Sequence, residues 1–493
     1  MGTTQAVTVP ALATAVRVRL PLLAVAAGSI GYAWLAAYFS LRRHDRYRSG
    51  FDLANFDQVL WLLANGHEPL NTQYGRVFWG EHFSPAIALL TPLYAAGAGP
   101  TALLVLQAVT MSSVAPLLYA LARAYGARPW LAALPAVLWL ASPLTLIPNV
   151  NDVHHIPLAV PVIVGSVLAL KRDRLLVFAL LALLACCTKE DVSLIYLTLG
   201  VVVALEGRRG LGAAISGASL ALFLFAVVVY LPAFGSSTSW FEERFAGDRG
   251  DSLLDVVTWM LTHPGTAVGD LVVSEKIGLC LALVATTGGL CLLAPRWMLL
   301  GLPALGHNLL SAYGPQHGIW DQYQVPVALS FAVAGAAGVH RLAGARPPVR
   351  LLAAAGVTLA FLVAPLGIRH ADRQSEWTAE RVARLGGPEA RRDALALIPD
   401  DVPVAASTRV TPHLAHRREL YTLPLPFLGR AVWASDWSEE ELARRAAGVE
   451  WVMLDVNDRP TELQRTPELV RPLLPKLGFR RVFEEGTVSV WQR

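Results

Sequence analysis

The hydrophobic positions of this chain fall in long unbroken runs rather than at the alternating spacing of half-buried strands. From Leu20 to Leu41 there are 22 residues without one charge. A helix needs about 20 mostly apolar residues to cross a bilayer, so such runs predict membrane spans. Eleven are expected, at residues 20–41, 101–122, 129–147, 156–170, 175–187, 192–205, 211–234, 277–294, 297–312, 325–343 and 349–367. The patch from Ala86 to Ala96 carries Pro92 and is too short to cross, which predicts an interfacial or re-entrant piece of the long loop 42–100. No small-x-small cleavage site follows the first run, so it is expected to be a retained helix and not a signal peptide.

Composition agrees with lipid as the solvent: 54% of residues are hydrophobic and 16% charged, against about 25% charged in soluble domains. The charge is uneven. Residues 1–368 hold 22 Lys+Arg and 18 Asp+Glu, whereas the much shorter 369–493 holds 19 and 19. The expected organisation is therefore a cytoplasmic N-terminus at 1–19, a transmembrane domain at 20–368 and a soluble domain at 369–493. In the last, an amphipathic helix is expected near Glu376 to Leu397, strands at Val402 to Ser407 and Val449 to Asp455, and a hairpin from Phe479 to Gln492 turning at Glu485-Gly486. These make a small α/β domain with no nucleotide loop or nucleophile elbow, which suits a lid or a docking module. A net charge of +4, with no basic run interleaved with aromatics, excludes a nucleic-acid partner. Cys186, Cys187, Cys280 and Cys291 lie in apolar stretches and read as small core residues.

Loops kept in the cytoplasm accumulate Lys and Arg. With the N-terminus inside, the cytoplasmic segments 1–19, 123–128, 171–174, 206–210, 295–296 and 340–350 hold 13 Lys+Arg in 47 residues, and the opposite loops hold 9. Against this runs the cluster Arg42, Arg43, Arg46 and Arg48 just after the first span. The orientation puts the unusual polar residues on one, extracytoplasmic, face: Asp52, Asp57, Glu81, His82, Asn151, Asp152, His154, His155, Lys189, Glu190, Asp191, Gln316, His317 and Asp321. Spans 175–187 and 192–205 are short; the first covers about 20 Å of an apolar core about 30 Å thick. Thr188 to Asp191 should therefore lie below the membrane surface, where charge requires a partner or a wet cavity.

The segments Phe51 to Gln58, Gly80 to Pro85, Asn151 to Pro157, Thr188 to Val192 and the Tyr313 to Tyr323 loop together resemble an uncharacterised family of bacterial multispanning membrane proteins grouped with the GT-C glycosyltransferases. The resemblance covers roughly residues 20–340, and Thr188 to Val192 and Phe51 to Gln58 are its most specific parts. In layout it is similar to the lipid A aminoarabinose transferases and protein mannosyltransferases, whose long first extracytoplasmic loop carries an acid soon after the first helix. Asp52 matches that acid, Asp152 a second acid after a later helix, and Glu81 an acid before a Pro-containing interfacial helix. Where the family more often has Asp-Phe-His-Pro, this chain has Asn151-Asp152-Val153-His154-His155, which leaves the role of His155 open.

The resemblance implies a GT-C-like polytopic fold and transfer of a sugar from a polyprenyl-phosphate donor to a cell-envelope acceptor at the outer face of the bacterial plasma membrane. Such a reaction needs a carboxylate base for the acceptor hydroxyl and cations or donors for the departing phosphate. Asp52 is the expected base, with Asp152 and Glu81 as further catalytic candidates. Lys189, His154 or His317 would hold the phosphate, and Gln316, Asp321 and Tyr323 would contact sugar hydroxyls; Asp57, His82, His155, Glu190 and Asp191 complete the substrate-binding set.

Plainer readings stand beside these. Asp52 and Asp57 could cap a juxtamembrane helix, and Lys189, Glu190 and Asp191 could close a hairpin tip as a mutual ion-pair cluster. His154 and His155 with Asp152 and Glu81 form an alternative divalent-metal set, while His307 and His340 suit core or helix-end positions. Intramembrane charges also mark transport paths, which makes a transporter or flippase the rival function. No inverted repeat is visible, and the charges sit at helix ends on one face.

Overall fold

The computed structural model of the chain describes residues 9–73, 75–235, 253–376, 378–379, 382, 387–428, 437–456 and 469–493. The first eight residues of the N-terminal segment and part of the helix expected between Glu376 and Leu397 lie outside them. Ten helices lead the chain through its first half: α1 Val9–Asp45, α2 Phe51–Ala64, α3 Thr91–Ala95, α4 Pro100–Ala124, α5 Pro129–Ala141, α6 Pro143–Asn151, α7 His155–Lys171, α8 Leu175–Cys186, α9 Val192–Leu205 and α10 Arg209–Leu224. α1 packs along α4, α4 along α7, and α7 along α8.

At the centre lies the helix Val325–Gly338, every residue of which is buried. At the edge, Pro347–Ser375 turns Leu351, Leu352 and Leu362 outward, each more than 70% exposed. An apolar exterior of this extent on closed helices suits hydrocarbon, where backbone groups must be satisfied within the helix itself. By length and composition, five helices among the described residues can cross a membrane, six if the bent pair α5–α6 is one span.

That is fewer than the eleven runs read from the sequence. The runs are there, but tertiary structure breaks several of them. The expected span 129–147 bends by 41° where Ser142 caps Leu144 N at 3.2 Å and Pro143 begins the new helix. The expected spans 277–294 and 297–312 are divided into Ser274–Thr286, two 3-10 segments and Leu302–Leu310. α8 and α9, of 12 and 14 residues, remain short apolar helices, about 18 and 21 Å long. The patch Pro85–Ala95 is likewise a short apolar helical piece.

α9 and α10 approach backbone to backbone. A Cβ on Gly212 would stand 2.4 Å from Gly200 O, and one on Gly200 would stand 2.5 Å from Gly212 O. Small residues at such crossings give membrane helices their van der Waals contact. Gly212→Leu is expected to lower the thermal unfolding temperature in detergent by a shift corresponding to at least about 1–3 kcal/mol. The exposed Gly217 on the same helix, with open space at its Cβ, should accept leucine with little change.

The C-terminal region forms a five-stranded sheet in the order β4-β3-β5-β7-β6, from β3 Val404–Ala406, β4 Leu420–Thr422, β5 Trp451–Asp455, β6 Arg480–Glu485 and β7 Val488–Gln492. β3 pairs parallel with β4 and β5, and β5 antiparallel with β7. The expected strands and hairpin are present, with the turn at Gly486 in the left-handed region at φ 58°. Of the helix expected between Glu376 and Leu397, the described residues show a helix at Pro388–Leu395. β4 was not anticipated, because three residues carry almost no period.

Candidate active site

Polar residues link the end of α1 and the first loop to the α6–α7 turn, and the first loop to the α8–α9 turn. Arg43, in the last turn of α1, donates to Asp152 Oδ1 at 2.7 Å and reaches Val150 O. Asp152 also accepts from Gly50 N at 3.0 Å, immediately before α2. α2 thus begins at a fixed point, with Gly50 and neither aspartate as its cap. From α4, Gln107 fastens the other side of the turn. Its Nε2 donates to Asp152 O at 2.7 Å and its Oε1 accepts from His154 N at 2.9 Å.

Asp52 follows on the first turn of α2 with its side chain 41% exposed, and its Oδ2 lies 3.8 Å from His154 Nδ1. Burial, reinforced by the Arg43 and Lys189 cations, pulls the His154 pKa down to about 3, so that ring is neutral at physiological pH. This environment favours the neutral ring at His154, which the sequence set beside Lys189 and His317 as a phosphate ligand. Arg43 had looked like a topology signal in conflict with the other loops, but it is part of this site. Its neighbours are equally committed: Arg42 pairs with Asp372 at 3.1 Å and with Glu376, and Arg48 donates to Arg373 O and Glu376 O.

The α8–α9 turn is not the closed ion-pair cluster considered above. Lys189 binds Asp191 at 2.8 Å, but Glu190 reaches across to the first loop, accepting from Phe83 N at 3.0 Å and meeting His82 Nδ1 at 2.9 Å. Burial works against the Lys189 ammonium, yet Asp191 and Glu190 outweigh it and raise its pKa. Burial likewise opposes ionisation of Glu190, while His82 and Lys189 hold its carboxyl well below the usual range. His155 lies in an aromatic nest, 4.7 Å from the Phe56 ring centre and 5.0 Å from His82. Glu81 and His82 are half-buried beside them.

In the Tyr313 to Tyr323 loop, Gln316 is fully buried, bound to Ser311 Oγ, to His307 Nδ1 at 3.1 Å and to Gln324 through its carbonyl. These bonds brace the loop around Gln316. His317 Nε2 bonds Ser311 O at 2.6 Å, which ties that nitrogen to the loop. Asp321 is half-buried, and burial pushes its pKa up to about 6. The exposed Trp320, bound through its carbonyl to Asn151, stacks on His370, and the Tyr323 carbonyl accepts from Asn308 Nδ2 at 2.9 Å. Among the described residues no three or more His, Cys, Asp or Glu are grouped to hold a metal ion, so the metal set His154, His155, Asp152 and Glu81 is not assembled.

Asp57 points elsewhere. It is 1% exposed, accepts from Tyr94 OH at 2.6 Å and meets His416 Nε2 of the C-terminal domain at 3.2 Å, with Trp61 stacked on the His416 ring. It joins the first loop to the C-terminal domain. Nearby, Thr72 Oγ1 donates to Leu420 O at 2.6 Å, and Gln58 Nε2 reaches Arg417 O. The bond to Asp57 raises the His416 pKa, and burial raises that of Asp57, so the docked pair takes up protons. Its contribution is fully present below the ordinary histidine value of 6.5 and is lost as pH rises through the raised His416 pKa. Thermal unfolding should therefore shift to lower temperature above neutral pH, and His416→Ala should flatten that dependence.

Residues 43–479 match the DUF2079 family of predicted membrane proteins. The chain belongs to this family. No curated protein matches it. Among solved structures, this DUF2079 chain is similar to ArnT from Cupriavidus metallidurans bound to undecaprenyl phosphate, with TM-score 0.52 and 12% identity over 94% of this chain and 97% of that one. The apo form of the same protein gives TM-score 0.53 and 12% identity over 94% and 96%. At that identity the likeness is one of fold, and it agrees with the GT-C grouping that the loop motifs suggested.

Proposed function

We propose that this DUF2079 protein is a GT-C-type membrane glycosyltransferase that moves a sugar from a polyprenyl-phosphate donor to a cell-envelope acceptor on the extracytoplasmic side, with Asp52 as general base. One observation carries the assignment of the base. Asp57, Asp152 and Glu190 lie buried, whereas the Asp52 side chain is 41% exposed at the head of α2, beside a histidine whose pKa is lowered. A carboxylate that can meet an acceptor hydroxyl, with Arg43 and Lys189 near it, is the set of charges this transfer uses. Support for a lipid phosphate as donor comes from ArnT, whose similar fold was solved with undecaprenyl phosphate.

The test is incubation of purified protein with radiolabelled polyprenyl-phosphate sugars and membrane extract, followed by separation of lipid and polymer products. Label should pass to an acceptor; movement of intact donor across a vesicle membrane without transfer would establish a flippase instead. Orientation is tested separately. Glu440, exposed on the C-terminal domain, should react as cysteine with an impermeant maleimide in intact cells, and labelling only after lysis would reverse the topology.

A further inference from the structure

Buried amides hold the Tyr313 to Tyr323 loop in one shape. Gln324 Nε2 donates to Gln316 O at 2.7 Å and to Gly318 O at 3.0 Å, and Asn308 Nδ2 donates to Tyr323 O at 2.9 Å. Within that loop Ile319 packs inward against the transmembrane core, while its neighbour Trp320 is 48% exposed. A tryptophan covers about 150–250 Å² when it packs fully. Half-exposed, it leaves a broad apolar surface for something else to cover.

Two contacts fix Trp320 beside the charged cluster. Asn151 Nδ2 donates to Trp320 O at 2.7 Å, and the indole stacks on His370 of the helix Pro347–Ser375, with ring centres 4.8 Å apart and planes 24° from parallel. Asn151 adjoins Asp152, which binds Arg43 at 2.7 Å, and at the far end of the same turn His154 Nδ1 lies 3.8 Å from Asp52. The Cα atoms of Asn151 and His154, joined by three peptide links, can be no more than about 11 Å apart. Trp320 and Asp52 therefore attach to opposite ends of one short turn, with the partner of Arg43 between them along the chain. Trp34 and Trp130 are also exposed, but they lie on the apolar helices α1 and α5 and suit lipid or its interface.

We propose that Trp320 is the sugar-stacking platform of the site: its exposed indole packs against the ring of the donor sugar while the attached phosphate meets the cations beside Asp152, a placement that rests on reading the cluster as a glycosyltransferase site. A pyranose is polar at its rim, where the hydroxyls project, and apolar on the faces where its C–H bonds lie. An aromatic ring suits such a face, because its negative surface attracts the positive C–H edge and apolar area leaves water on contact. His370 supports the indole by stacking, and the main-chain bond to Asn151 sets its distance from the turn. Stacking reads the face of a sugar and not the pattern of its hydroxyls, so the platform accepts pyranoses as a class.

The test measures binding, without turnover, on the full chain in detergent. The probes are undecaprenyl phosphate and undecaprenyl phosphate bearing glucose, galactose, mannose or N-acetylglucosamine. The parent should bind at least one sugar-bearing lipid more tightly than the bare lipid. Trp320→Ala should weaken that lipid roughly 5- to 20-fold and leave the bare lipid as before, with Trp320→Phe recovering much of the loss. Because the bond to Asn151 is made by the main chain, the ligand-free unfolding temperature should not change in either variant. Equal binding of the sugar-bearing lipid by parent and Trp320→Ala overturns the proposal, as does a parent that gains from none of the four sugars. So does equal weakening of bare and sugar-bearing lipids, which would make Trp320 a membrane or structural residue. Sugar-dependent binding lost in Trp320→Ala, with no transfer by the parent, would keep the platform and remove the proposed reaction; undiminished transfer by Trp320→Ala would keep the reaction and remove the platform.

Discussion

Replacing Asp52 by asparagine is expected to lower turnover by about 10²- to 10⁴-fold, the usual cost of losing a positioned base. Asparagine keeps the size of the side chain and its place on the first turn of α2, while Gly50 still fixes the start of that helix through Asp152. Folding should therefore be unaffected. The loss should fall on kcat, with KM for the lipid donor near its parent value, because the phosphate is held by cations elsewhere. Asp57→Asn should leave turnover much closer to the parent, since Asp57 faces Tyr94 and His416 and not the cluster. Near-normal turnover in Asp52→Asn beside a stable but inactive Asp152→Asn would transfer the base to Asp152.

The other large effect is expected on stability. Asp152→Leu leaves the Arg43 guanidinium, 13% exposed, without its carboxylate and removes the acceptor of Gly50 N. Breaking a buried pair from one side costs about 3–5 kcal/mol, enough to exhaust the reserve of many proteins. Low accumulation and a depressed unfolding temperature should result. The double variant Arg43→Met with Asp152→Leu should recover much of that loss, because no buried charge is then left alone, and a double-mutant cycle reads the coupling directly. Activity should not return with stability, since the fixed entry to α2 positions Asp52. If Asp152→Leu accumulates and melts like the parent, the pair is not what holds this junction.

The sequence by itself determined the solvent, the class and the chemical neighbourhood. Long uncharged runs follow from the demand that backbone groups in hydrocarbon be satisfied within one helix, and so the membrane assignment, the short α8 and α9, and the recessed charges between them could be read without coordinates. The dense charge after residue 368 and the alternating Phe479 to Gln492 stretch likewise marked the terminal domain and its hairpin, because period and turn chemistry are local. Tertiary structure decided the breaks inside the runs at Ser142 and around Thr286, where packing against neighbours outweighs hydropathy. It also decided which polar residue does what. Asp52 and Asp57 are five positions apart on one helix, yet one faces the cluster and the other a domain 359 residues away in sequence. Gln107 could have been noticed as a lone amide in an apolar span, but Arg43 looked like a topology signal. Their roles depend on partners across long sequence separations, such as the 109 residues between Arg43 and Asp152; charge pairing is a property of distance in space, and no pattern along the chain encodes it.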